Sequence, residues 1–221
     1  MNQFLSEKGV QTPFILTKEE CIRFWQNLDN TDKVNENRPE NYAKKGGDRI
    51  RFLHDFWRPQ VDFQCSILEM GSNCGANLIQ LNHLGYERLS GVEVNPHAIK
   101  QMDFSFPRLR EKIPIVVGSI EKVIREMADD AVDLIFTMGV SMHIHPKDNS
   151  VFTEMARVAK KYICTIEPEP SNSNYVFARN YRRIFENSGA VQIKSVLFRP
   201  EKFPDYKGEK SFFTFRLFRL F

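Results

Sequence analysis

The sequence predicts an α/β domain built on a largely parallel sheet, and three observations carry that prediction. Short apolar runs near 66–70, 88–94, 113–117, 132–140 and 161–166 alternate with helix-compatible segments, the pattern of successive βαβ units. The first run ends in Glu69-Met70-Gly71-Ser72-Asn73-Cys74-Gly75, a glycine-rich turn ahead of a helix. Such a turn at the carboxyl end of a buried strand lets a ligand approach bare backbone, with helix amides ready to meet a polar group. The chain of 221 residues is 42% hydrophobic, enough for one such domain with a full core and a small N-terminal addition.

Taken in order, residues 1–64 precede the first sheet strand and read as a helical cap. Thr17 with Glu20 forms a capping box, and Ile22, Trp25 and Leu28 share one helical face. A polar loop is expected from Asp29 to Arg38, a short helix from Pro39 to Lys45, and a hinge at Gly46-Gly47. Tyr42, with Lys44 and Lys45, is placed as a lid over the cleft. Asp48 is expected to cap a helix carrying Ile50, Leu53, Phe56 and Trp57, ended by Pro59.

After Gly75, Ala76 to Leu84 reads as a helix stopped at Gly85. Arg88 to Val94 is the second strand, and Asn95-Pro96 opens the next helix with proline at its favoured first position. A helix of about ten residues travels about 15 Å, and a five-residue strand returns about 17 Å. A right-handed crossover then brings Glu93 beside the glycine turn, where an acid can accept both hydroxyls of a ribose. Ile113 to Val117 is a third strand, with Ser119 the expected N-cap of a helix from Ile120 to Met127. Val132 to Val140 is a fourth buried strand, so Thr137, Gly139 and His143 fall at its carboxyl edge, where clefts of such sheets lie. Helices are expected at 149–160 and 173–187, a fifth strand at 161–166, and two last strands at 191–198 and 211–221.

Two cofactor patterns compete at the glycine turn. The nicotinamide fingerprint G-x-G-x-x-G from Gly71 would need glycines where Asn73 and Ala76 stand. The pattern acid-x-G-x-x-x-G is met by Glu69, Gly71 and Gly75, and it resembles the first motif of class I S-adenosylmethionine-dependent methyltransferases. Their commonest version has a further glycine where this chain has Asn73. The resemblance covers about residues 65 to 200. It implies a Rossmann-like seven-stranded sheet of order 3-2-1-4-5-7-6, with its last strand antiparallel and helices on both faces, over a domain at 65–221. It implies S-adenosylmethionine as cofactor, released as S-adenosylhomocysteine. Glu69, Gly71, Ser72, Asn73 and Gly75 would face its methionine part and Glu93 its ribose. Ser119 would meet the base edge between Val94 and Ile120, and Tyr42, Thr137 and Gly139 would complete the site. Within the family, Gly71-Ser72-Asn73-Cys74-Gly75 and the run from Phe136 to Ile144 look like small methylases associated with pseudaminic-acid and related nonulosonate sugar biosynthesis.

Methyl transfer needs an aligned acceptor and, for a hydroxyl, a proton acceptor. His143 is the candidate base, since imidazole titrates near neutrality. His145, Glu167 and Glu169 are candidate acceptor contacts, the two acids stiffened by Pro168 and Pro170. No metal is expected, because His143 and His145 have no third ligand at a recognisable spacing. A net charge of +3 without a run of five basic residues does not suggest nucleic acid. No apolar stretch reaches transmembrane length, so no membrane partner is expected. Cys21, Cys65, Cys74 and Cys164 form no C-x-x-C pair, which fits a reducing cytosol. The expected activity is methyl transfer to a small molecule, first of all to oxygen of a sugar or sugar-like metabolite. The alternatives are RNA or protein methylation, or a methyltransferase-fold scaffold without catalysis. Oligomeric state is not written in the sequence.

Overall fold

The computed structural model describes residues 15–28, 37–44, 47–199 and 212–221. Positions 29–36 of the expected loop, Lys45 of the expected short helix, Gly46 of the expected hinge and Ser211 of the last expected strand lie outside them.

Seven strands form one sheet of order β3-β2-β1-β4-β5-β7-β6. They are β1 (Ile67–Met70), β2 (Leu89–Glu93), β3 (Ile115–Val117), β4 (Val132–Met138), β5 (Ala159–Glu167), β6 (Val191–Phe198) and β7 (Phe213–Arg219). β1 to β5 pair in parallel, and β7 runs antiparallel between β5 and β6. The switch point lies at β1, which is paired to β2 on one side and β4 on the other. Chain reversal on opposite faces there leaves a crevice at the strands' carboxyl ends.

One face of the sheet is covered by α3 (Asp48–Trp57), α4 (Ala76–His83) and Met102 of α5 (Pro96–Ser105), the other by α6 (Ile120–Glu126), α7 (Ser150–Val158) and α8 (Tyr181–Asn187). The sequence makes this possible because β7 alternates. Phe213, Phe215 and Leu217 pack toward α3, while Phe218 packs toward α8. Trp57 of α3 is wholly buried, lies edge-on to Phe136 of β4, and donates its indole N–H to Tyr86 at 2.8 Å. The helix at 48–57 therefore belongs to the core of the sheet. The earlier helices α1 (Lys18–Gln26) and α2 (Pro39–Tyr42) lie at the carboxyl edge instead.

Three local expectations are corrected. Gly47, not Asp48, occupies the N-cap of α3, and Asp48 pairs with Arg51 one turn on. Ser119 stands at the N-cap of α6 with extended backbone, yet its hydroxyl makes no capping bond. The helix expected from 173 begins only at Tyr181. The amide of Phe177 goes to the carbonyl of Met142, that of Arg179 goes to the carbonyl of Glu169, and the Asn180 side chain caps Arg183. Tertiary hydrogen bonds claim the amides that a helix would have used.

Phe136 is fully buried in mid-strand, with Glu69 and Cys164 as its register partners. Phe136→Ala should cost about 3–5 kcal/mol, the range for emptying an aromatic core site. A urea titration would show this as a lower midpoint at unchanged slope.

Candidate functional site

The carboxyl edge of the sheet opens into a cleft lined by both glycine-turn and N-terminal residues. Its floor is the glycine turn. Gly71, Asn73 and Gly75 all have positive φ (78°, 48° and 75°). Asparagine tolerates this region because its short amide can bond locally, and Asn73 Oδ1 accepts the amide of Cys74 at 2.8 Å. That explains how the chain departs from a further glycine without losing the turn. A side chain on Gly71 would place its Cβ 2.6 Å from Val140 Cγ2, so the turn and the segment after β4 meet at bare backbone.

Glu93 ties the turn to the end of β2. One carboxylate oxygen accepts the amide of Asn73 at 2.7 Å, the other that of Asn95 at 2.9 Å. Burial pushes its pKa up, while the amides of Asn95, Asn73 and Val94 pull it down. Each oxygen has a second lone pair, and Glu93 lines the cleft with Val94, Ser119 and Ile120. Glu69 behaves differently. It is 1% exposed and accepts from Asn77 at 2.6 Å, and burial raises its pKa to about 8. Its other carboxyl oxygen is buried without a partner. Glu69 lies beneath the turn rather than on the cleft wall.

The opposite wall is the segment after β4, residues 139–145. Glu167 gathers its amides, accepting from Val140 (3.2 Å), Ser141 (3.0 Å) and Met142 (3.4 Å). Burial raises the pKa of Glu167 to about 7 against those bonds. Arg179 gathers the carbonyls, donating to Ser141 at 3.1 Å, to Met142 at 3.4 Å and to Ile144. The segment is thus held from both sides, and His143 comes to the cleft. The His143 ring lies 4.2 Å from that of Trp25 and 5.7 Å from that of Tyr175. Its Nδ1 is 2.9 Å from the carbonyl oxygen of Tyr175. A carbonyl only accepts, so Nδ1 carries the hydrogen and Nε2 the lone pair. Burial lowers the His143 pKa to about 4.

The third wall is N-terminal. Helix α1, whose Thr17–Glu20 capping box is present as expected, presents Cys21, Ile22, Trp25 and its follower Leu28 to the cleft. It is fastened by Lys18–Asp148 at 2.8 Å, by Phe24 stacked on Tyr175, and by the Leu16 amide on Asn174. The segment 37–44 is fastened over the glycine turn by Asn73 to the Asn37 carbonyl (3.2 Å), and by His97 with Glu40 (2.6 Å).

Of the residues expected at the site, Tyr42, Gly71, Asn73, Glu93, Val94, Ser119, Ile120, Gly139 and His143 line one cleft. Ser72, Gly75 and Thr137 do not. Ser72 packs beneath Gly91, Gly75 packs against Met102, and Thr137 accepts from the Ser141 hydroxyl. The three expected acceptor contacts are also elsewhere. Glu167 is consumed by backbone amides, Glu169 pairs with Arg216 at 2.6 Å, and His145 accepts the Lys147 amide while packing edge-on to Phe177. Sequence reasoning missed the cleft-lining role of Trp25, Cys21, Leu28, Met138 and Val140. The apolar stripe Ile22-Trp25-Leu28 was visible, but a stripe does not say whether it faces core or cleft. Among the described residues, no group of three or more His, Cys, Asp or Glu is arranged to hold a metal.

Glu167→Ala should orphan three amides, each costing about 1–3 kcal/mol when left buried and unpaired. Hydrogen exchange at Val140, Ser141 and Met142 should accelerate ahead of the strand core. Unchanged protection there would mean that Arg179 alone holds the segment.

A family model described as a methyltransferase domain matches residues 68–162. No curated protein matches the chain significantly in sequence. Among solved structures, the chain resembles magnesium protoporphyrin IX methyltransferase of Synechocystis PCC 6803 with bound S-adenosylmethionine. The TM-score is 0.68 at 9% identity, over 95% of this chain and 100% of that one. It also resembles geranyl diphosphate C-methyltransferase of Streptomyces coelicolor A3(2), solved with Mg²⁺, geranyl diphosphate and S-adenosylhomocysteine. There the TM-score is 0.64 at 15% identity, over 95% and 98% of the two chains. A sarcosine dimethylglycine methyltransferase, so described provisionally, of Galdieria sulphuraria gives 0.61 at 15% identity, over 77% and 84%. Identities this low speak for the fold alone, and they lend no support to the narrower likeness to nonulosonate-pathway methylases. The motif, the strand order and the family match agree: residues 68–162 match a methyltransferase domain, within a sheet of order β3-β2-β1-β4-β5-β7-β6.

Proposed function

We propose that this cleft binds S-adenosylmethionine and transfers its methyl group to a hydroxyl of a small molecule. The observation that carries the proposal is the convergence of a glycine turn, a buried acid and an imidazole on one cleft. The cofactor supplies a sulfonium-bound methyl group already activated for displacement. Glu93 would accept the ribose hydroxyls, and the backbone of Gly71 and Asn73 would border the methionine part. Ser119, whose hydroxyl is not spent on its helix, would meet the base between Val94 and Ile120. The segment 37–44 with Tyr42, together with α1, would act as a lid that excludes water.

His143 would take the acceptor's proton on Nε2. Its burial means that it is neutral, and so able to accept, throughout the neutral range. Methylation of a sugar hydroxyl is the finer form of this proposal. The neighbours named above for magnesium protoporphyrin IX and for geranyl diphosphate act on small molecules, which supports the coarser class.

Calorimetry should show binding of S-adenosylmethionine or S-adenosylhomocysteine and none of NAD. Glu93→Ala should weaken it by about 1.5–3 kcal/mol, the scale of a charge-assisted hydrogen bond. Tight NAD binding would overturn the assignment. For the base, turnover of His143→Ala should fall about 10²–10⁴-fold with cofactor affinity kept. An ordinary histidine would lose activity as pH drops below about 6.5. With the pKa of His143 near 4, the wild-type rate should hold through pH 5 and decline only toward 4. Folding follows the same sign. The unfolded chain binds this proton more readily, so stability falls as pH drops from the unfolded pKa toward about 4.

A further inference from the structure

We infer that the acceptor is an uncharged hydroxylated ring, without phosphate or carboxylate, that lays an apolar face on Trp25; the inference rests on the cofactor reading above. Beyond the turn, the cleft is walled by Trp25, Leu28, Val140, Ile144 and neutral His143. Among the described residues, the charged side chains lining the cleft are Glu93 and Glu121, both acids. Two cations of the surrounding elements are engaged elsewhere. Lys18 pairs with Asp148, and Arg179 spends its guanidinium on the carbonyls of Ser141, Met142, Ile144 and Phe177 and on Asn149. A phosphate or carboxylate entering here would be desolvated beside two acids, with no cation among the described lining residues to pair it.

The polar groups of this wall match a hydroxyl instead. Trp25 Nε1–H is buried without a hydrogen-bond partner, an unmet donor in this wall. His143 Nε2 is an unprotonated acceptor, by the tautomer that the Tyr175 carbonyl imposes. The two rings lie 4.2 Å apart. A hydroxyl can accept from the first and donate to the second, and the ring bearing it would supply the flat face that an indole prefers. An aromatic alcohol and a neutral sugar both offer this chemistry. A sugar acid, a sugar phosphate or a nucleotide-linked sugar does not.

The test is calorimetry on the full chain loaded with S-adenosylhomocysteine. Four probes are titrated: 2,3-dihydroxynaphthalene, its monophosphate, methyl glucoside and glucuronic acid. The neutral member of each pair should bind at least about tenfold more tightly than its anionic partner. The stronger of the two neutral probes identifies an aromatic or a sugar acceptor. Trp25→Ala should weaken that probe about tenfold or more, and Trp25→Phe, which keeps a ring but loses the N–H, should fall between. S-adenosylhomocysteine affinity in both variants reports folding. Equal or tighter binding of the anionic probes, no binding of either neutral probe, or neutral-probe affinity indifferent to Trp25→Ala would overturn the inference while leaving the cofactor reading intact. Failure of S-adenosylhomocysteine itself to bind would overturn both.

Discussion

A parallel sheet ends, at its carboxyl edge, in turns whose amides have left the ladder and still need partners. Buried amides left unpaired are costly, and in this protein two acids meet the need. Glu93 at the end of β2 takes the amides of Asn73 and Asn95. Glu167 at the end of β5 takes those of Val140, Ser141 and Met142. Each acid therefore joins its own strand to a neighbouring turn. The distance between the two clamped turns sets the width of the cleft, and its walls inherit their rigidity from these bonds. Gly71 completes the arrangement, because the close approach of Val140 leaves no room for a Cβ between the clamped turns.

The same edge sorts its acids by what surrounds them. Glu93 lies on the cleft and draws on three amides. Glu69, one strand away, receives only the Asn77 side chain, and burial holds its pKa near 8. Its proton is kept at neutral pH, so the site is spared a second buried negative charge close to Glu93. The raised pKa values of Glu69 and Glu167 carry a sign opposite to that of His143. A folded state that holds these protons is favoured at low pH, and the advantage disappears as pH rises through about 7 to 8.

The N-terminal segment gives the cleft its chemical character. Its aromatic contacts, Trp25 on His143 and Phe24 on Tyr175, depend on a loop that Arg179 organises from behind. The guanidinium binds carbonyls and faces the rings of Phe152 and Phe177, so a cation is present near the cleft yet withheld from it. Among the described residues, the charged side chains left lining the cleft are the acids Glu93 and Glu121.

Much of this was readable in the order of residues. The alternation of apolar runs and helical stretches, the glycine turn after Glu69, and the acid ending β2 predict a parallel βαβ sheet and half of the cleft, because βαβ handedness leaves few other ways to fold such a chain; the full strand order came from the resemblance that the glycine turn carries. The other half depends on contacts between residues far apart in sequence. Glu167 and Glu169 look alike as a proline-stiffened pair, and only the arrival of Val140–Met142 at one and Arg216 at the other separates a backbone clamp from an ion pair. His143 and His145 look alike too, until the Tyr175 carbonyl takes Nδ1 of one, with Trp25 against its ring, and the Lys147 amide occupies the other. The helical stripe of Ile22, Trp25 and Leu28 could have faced any apolar surface. A periodicity of 3.6 states which side chains share a face, while the tertiary structure decides what that face covers, since burial and hydrogen-bond partners are properties of the assembled neighbourhood rather than of the local chain.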